Sequence, residues 1–178
     1  MNLAARRPHL RGPLDTPATV MSDLGETLAQ NRMSMLLLGD QTQLRGDRRF
    51  HAYRWFTEPS MRARHPADET EHHSRVVVAD LRATVARRRG DADVVRLVAR
   101  LRAASEEFAQ RWDEHEVKVR RADRKRIHNA QVGLVHVDCE TLMTPDQTQL
   151  LLVLTPTPGT DAAEKLALLA VVGLQQFA

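Results

Sequence analysis

The chain is poor in the residues that usually announce chemistry. It has one cysteine in 178 residues, which rules out a disulfide within this sequence. That residue, Cys139, sits in an alternating apolar run, so a buried and inert thiol is expected. Aromatic residues make up only 4% of the chain. No apolar stretch is long: Met35-Leu36-Leu37-Leu38 and Leu150-Leu151-Leu152-Val153-Leu154 fall far short of the roughly 20 residues of a bilayer-spanning helix. Arg6, Arg7 and Arg11 are not followed by the apolar segment of a secretory signal, so a soluble cytoplasmic protein is expected.

The usual catalytic signatures are missing too. There is no G-x-S-x-G elbow for a nucleophile, no GxGxxG fingerprint and no phosphate-binding P-loop. Ser74 and Ser105 fall on or at expected helices, without an oriented base in the pattern. The chain has eight histidines, and His72, His73, His115, His128 and His136 invite a metal reading, but neither H-E-x-x-H nor a Cys-x-x-Cys pair is present. Adjacent His72 and His73 would point about 100° apart on a helix. No enzyme activity, cofactor or native metal is expected.

What is present is a chain of single-domain size, able to bury about 70% of its unfolded surface. Residues 1–16 mix Arg, Pro and Gly without periodicity and are expected to form a disordered or loosely attached arm, with the domain spanning 17–178. The formal net charge is +3, unevenly placed. Lys118, Arg120, Arg121, Arg124, Lys125 and Arg126 crowd together with Asp123 as the only acid among them. Such a cluster is either a solvated turn whose side chains cover apolar surface or a site for phosphates of an acidic ligand or nucleic acid. Arg120, Arg121, Arg124 and Lys125 are the candidate nucleic-acid residues.

The periodicity lays out an α+β chain. Residues 18–29 flank Ser22-Asp23-Leu24-Gly25 and predict a hairpin. A helix is expected from Asn31 to Leu38, ended by Gly39, and another over 48–58, closed by Pro59. Residues 60–70 read as a loop. A helix over 71–88 follows, stopped by Arg89-Gly90-Asp91, and then one carrying Val94, Leu97, Val98 and Leu101 at helical spacing. Ser105 should cap a helix that places Phe108 and Trp112 on one face. From Val132 to Cys139 the period is two, with Val135, Val137 and Cys139 toward the core, and Thr144-Pro145-Asp146-Gln147 turns into a central strand over 149–155. Asp161 is placed to cap a last helix.

The ordered set of short motifs resembles one regulator family. The set is Pro17-Ala18-Thr19-Val20, Leu28-Ala29-Gln30-Asn31-Arg32, Arg54-Trp55-Phe56-Thr57-Glu58-Pro59, Leu81-Arg82-Ala83-Thr84, Asp113-Glu114-His115-Glu116-Val117, Arg124-Lys125-Arg126-Ile127-His128, Val132-Gly133, Glu140-Thr141-Leu142 and Pro158-Gly159-Thr160. Over about residues 17–172 the chain is similar to the MmyB-like regulator ligand-binding domain, a PAS-like module usually found behind an Xre-type helix-turn-helix. It departs at Gln30, where the family usually has a tryptophan, at Cys139, commonly aromatic, and near Arg64-His65-Pro66, where a tryptophan often follows.

The resemblance implies a PAS-like antiparallel sheet covered by helices, with a mainly apolar cavity between the two layers. It implies a fatty-acid-like or other apolar ligand, with Trp55, Phe56, Phe108, Trp112, Val135, Val137 and Leu152 as walls. A carboxylate head group would need a cation, for which His115, Arg126 and His128 are the candidates, His115 first. Some sixteen residues precede the first expected strand, against the order of 50 to 60 a helix-turn-helix needs. The chain is therefore expected to sense without touching DNA, as a homodimer or paired with a helix-turn-helix regulator. The alternatives are an interaction module that titrates full-length regulators, and weak nucleic-acid binding through residues 118–126.

Overall fold

A computed structural model describes residues 16–114 and 123–176. It begins with the expected hairpin, β1 (Ala18–Ser22) and β2 (Thr27–Gln30). The turn between them uses Gly25 at a φ of 78°, a left-handed geometry that a side chain would strain. α1 (Arg32–Leu38) starts where Asn31 accepts from the Ser34 amide and ends at Gly39, as its caps foretell. The Asn31 side chain also accepts from Ala18 N and donates to the Thr16 carbonyl, tying the helix start to the entry of β1.

The region expected to be one helix over 48–58 is built differently. A 3-10 turn (Gly46–Arg49) precedes α2 (His51–Thr57). Pro59 closes α2 but also opens α3 (Pro59–Arg62), because proline's fixed φ suits a first helical position. The residues read as a loop over 60–70 are therefore partly helical, and α4 (Ala67–Arg87) begins four residues before Glu71. Asp68 and Glu69 in its first turn favour that earlier start. α5 (Ala92–Ala104) and α6 (Glu106–Asp113) begin at the expected caps Asp91 and Ser105.

β3 (Asp123–Asn129), β4 (Gly133–Met143) and β5 (Gln149–Pro156) complete a five-stranded sheet in the order β2-β1-β5-β4-β3, antiparallel throughout and with β5 central. β3 lies at the edge beside the start of α4. The Arg126 amide donates to Glu69, and the His128 amide donates to the Arg64 carbonyl. α7 (Ala162–Gln176) closes the chain. Asp161 stands at the expected cap position, its carbonyl accepting from the Lys165 amide and its carboxylate pairing with the Lys165 ammonium, while the Thr160 hydroxyl accepts from the Ala162 amide. The result is the expected α+β, PAS-like arrangement.

The apolar residues form two cores rather than one. The first is helical: Trp55 and Phe56 of α2, Val78 and Leu81 of α4, Leu97 and Leu101 of α5, and Phe108 of α6. The second joins sheet residues Ile127, Val135, Val137 and Leu154 to Met33 and Leu37 of α1 and Leu166 and Leu169 of α7. Gly173 permits the close approach of α7 to α1, since a Cβ there would overlap the Leu36 side chain. Leu101 is fully buried, whereas Leu168, on the outer side of α7, is 52% exposed. Leu101→Ala should therefore cost about 2–5 kcal/mol in urea unfolding, and Leu168→Ala about 0.5 kcal/mol or less.

Candidate functional site: a cavity between two cores

Where the two cores part, the sheet and the helical layer enclose a cavity of about 540 Å³. That lies within the roughly 300–1,000 Å³ typical of small-molecule sites. One wall is the sheet, through Met21, Leu150, Leu152, Cys139 and Thr141. The register explains this wall: Leu152 stands opposite Thr19 and Thr141, and Leu150 opposite Met21 and Met143, so these side chains share one pleated face. The facing wall is a stripe of α4, His73, Val76, Val77, Asp80 and Leu81, whose spacing places all five on one side of the helix. His51 and Ala52 of α2 and the Ser22–Gly25 turn complete it. Exposed Asp80, Glu140 and Leu142 mark the mouth.

A second chamber of about 70 Å³ adjoins the first. Met21, His51, His73, Lys125, Cys139 and Leu152 line both, so this group forms the junction. Three histidines gather there. The Nε2 atoms of His51 and His73 lie 3.3 Å apart. His65 stacks on His73 at 5.1 Å between ring centroids, and Trp55 meets the His73 ring edge-on at 4.2 Å. Burial, reinforced by the Lys125 charge, holds His73 well below the ordinary histidine range and lowers His65 to about 4. Among the described residues, no group of three or more His, Cys, Asp or Glu is arranged to hold a metal ion.

The residues expected as walls are distributed otherwise. Of Trp55, Phe56, Phe108, Trp112, Val135, Val137 and Leu152, only Leu152 lines the cavity. Trp55, Phe56, Phe108 and Trp112 pack within the helical core, with Phe56 and Phe108 edge-to-face at 5.2 Å and Phe108 and Trp112 stacked at 5.4 Å. Val135 and Val137 belong to the sheet core under α1 and α7. Cys139 is half-buried, packed against the sheet core and lining the cavity, where its alternating run suggested a fully buried thiol. The Arg54-Trp55-Phe56-Thr57-Glu58-Pro59 run is scaffold. Buried Arg54 donates to the Arg49 carbonyl and to Gln41, and Glu58 pairs with Arg48. The Trp55 indole donates to Ser74, which donates to Glu107, itself paired with Arg62 and Arg111. Burial alone would raise the Glu107 carboxyl, but the hydrogen bonds from both arginines outweigh it and hold it below the usual range.

The head-group candidates also part company. Arg126 is committed to Asp68 and Glu69, and the His128 side chain is exposed. His115, Arg120 and Arg121 lie outside the described residues. Arg124 is exposed and pairs with Asp138, while its strand neighbour Lys125 turns the other way and lines both chambers. The described part of the basic cluster is thus a strand whose charges fall on opposite faces, not one continuous patch. His51, His65, His73 and Lys125 were not grouped by the sequence; the one available signal was the 73-76-77-80-81 stripe of α4.

The fold and cavity define an antiparallel-sheet module with a cavity between sheet and helices. Residues 5–169 match the family model "MmyB-like transcription regulator ligand binding domain", and the chain belongs to that family. It is a sensing domain of a transcription regulator. No curated protein matches the chain. No helix among the described residues is long and apolar enough to cross a membrane.

The depressed histidines fix a direction for acid stability. Unfolding restores an ordinary pKa near 6.5 to His65, so below that pH the unfolded chain binds protons the folded one refuses. Stability should be flat above about 6.5 and fall as pH drops toward about 4. The urea midpoint measured at pH 7 and pH 5 should decline in the native protein, and decline less in His65→Gln.

Proposed function

We propose that the cavity binds an elongated apolar molecule with an anionic end, of the fatty-acid type, and that the chain acts as a non-enzymatic sensor. The observation that carries this reading is the cavity itself. Met21, Val76, Val77, Leu81, Leu150 and Leu152 give it apolar surface on both walls, and Lys125 stands at the junction with the smaller chamber. Lys125, which lines both chambers, joins the first-named candidate His115, outside the described residues, as a head-group cation, whereas Arg126 is held by two carboxylates and His128 is exposed. Apolar burial supplies the affinity and the cation sets the orientation.

A sensor also needs two states that its ligand tells apart, since equal affinity for both shifts nothing. We place that difference in self-association, or in pairing with a helix-turn-helix regulator. Light scattering with and without ligand reads the self-association.

Native mass spectrometry followed by denaturing extraction should recover a co-purified fatty acid or similar molecule. Added fatty acid at about a hundredfold excess over Kd should stabilise the fold by about 2.7 kcal/mol, raising Tm by roughly 5–10 °C. Val77→Trp, which fills the cavity, should abolish the shift, and Lys125→Ala should weaken it. A clean mass together with no shift from any fatty acid would overturn the reading and favour a module that acts by protein pairing alone.

A further inference from the structure

We propose that the junction of the two chambers is a proton-coupled anion subsite: His51 and His73, hydrogen-bonded to each other without ligand, take up one proton and present both Nε2–H groups, with Lys125, to an anionic head group. This rests on the reading of the cavity as a small-molecule site and specifies how that site reads charge and pH.

The geometry allows the pair only one bridging proton. With the two Nε2 atoms 3.3 Å apart, one ring donates and the other accepts. A further proton on the acceptor would set two N–H groups against each other, so the contact must open when the pair becomes cationic. His73 is fixed: it is 5% exposed, packed edge-on against Trp55 and stacked on His65. His51 is only half-buried, so it is the ring that turns. Both rings line the chambers, and an anion between them would replace the lost contact with two charge-assisted donors.

The surrounding charges set the sign. His73 faces Lys125 from β3, His65 from the α3–α4 connection, His51 from α2 and His72 from its own helix. The acids that line the cavity are Asp80 and Glu140, both exposed at the mouth, and Asp23, whose carboxylate is paired with Arg88 at 3.1 Å. Burial first, and these like charges second, make an empty junction an unfavourable place for an extra proton, consistent with the depressed His73. An anion reverses that field, so binding and protonation favour each other.

Isothermal titration of the full chain with decanesulfonate, whose head group does not titrate between pH 5.5 and 8, tests this against uncharged decanol. Decanesulfonate affinity should rise as pH falls, by up to about tenfold per unit for one linked proton, while decanol affinity stays flat. The heat should depend on the buffer's ionisation enthalpy for the sulfonate alone. His51→Gln and His73→Gln should flatten the sulfonate's pH dependence and still bind decanol, which certifies an intact cavity. Lys125→Gln should weaken the sulfonate and move its pH dependence upward. Sulfonate binding that ignores pH, or that keeps its slope in both histidine variants, overturns the inference while leaving the cavity's role intact. Failure of both probes to bind at every pH overturns the cavity reading and the inference with it.

Discussion

The helical half of the molecule depends on one hydrogen-bonded relay, buried at its Trp55 and Ser74 end. The Trp55 indole donates to Ser74, Ser74 to Glu107, and Glu107 is held by Arg62, whose Nε returns to the Trp55 carbonyl. Four helices, α2, α3, α4 and α6, each contribute a member. The relay makes the helical layer a unit with its own core, so it need not collapse onto the sheet to be stable. Burying an indole N–H without a partner would be costly, and here every member of the chain is satisfied. The Arg62 guanidinium also lies over the Trp55 and Phe56 rings, at 5.3 and 5.4 Å from their centroids.

That independence creates the site. The sheet has its own cover in α1 and α7, and the helical layer has its own core, so the remaining strip of sheet between them is roofed but not filled. Leu152 and Cys139 are the residues where the two arrangements meet: both pack beside the sheet core and line both chambers. The cavity needs no unusual backbone beyond the left-handed Gly25 of its turn. It follows from two groups of helices sharing one face of a single sheet.

The order of elements and most caps were legible because they rest on local rules. Asn31, Gly39, Asp91 and Ser105 act where the sequence puts them, and the period-two run places Val135 and Val137 inward. The segment from 46 to 67 was less legible, because proline both ends one helix and starts the next, and local patterns do not say which use prevails. The site was hardest to read. The most conspicuous residues, the tryptophans and phenylalanines, are the bulky ones that a core consumes. The cavity falls to what those helices present on their other side, small or polar residues such as Ala52, His51 and Asp80. Lys125 was hidden within a basic run whose function depends on strand alternation, and alternation gives neighbouring charges opposite fates.

The edge of the sheet at β3 bears on how the protein behaves in a crowded solution. An unpaired strand offers a template on which another chain can add itself, and growth of that kind ends in fibres. Here two of the outward amides of β3 are already engaged, one by a carboxylate and one by a carbonyl of the segment that leads into α4. An incoming strand would have to displace both, and would meet Arg126 held across that border by Asp68 and Glu69. The same contacts that anchor α4 over the cavity thus protect this border against runaway polymerisation.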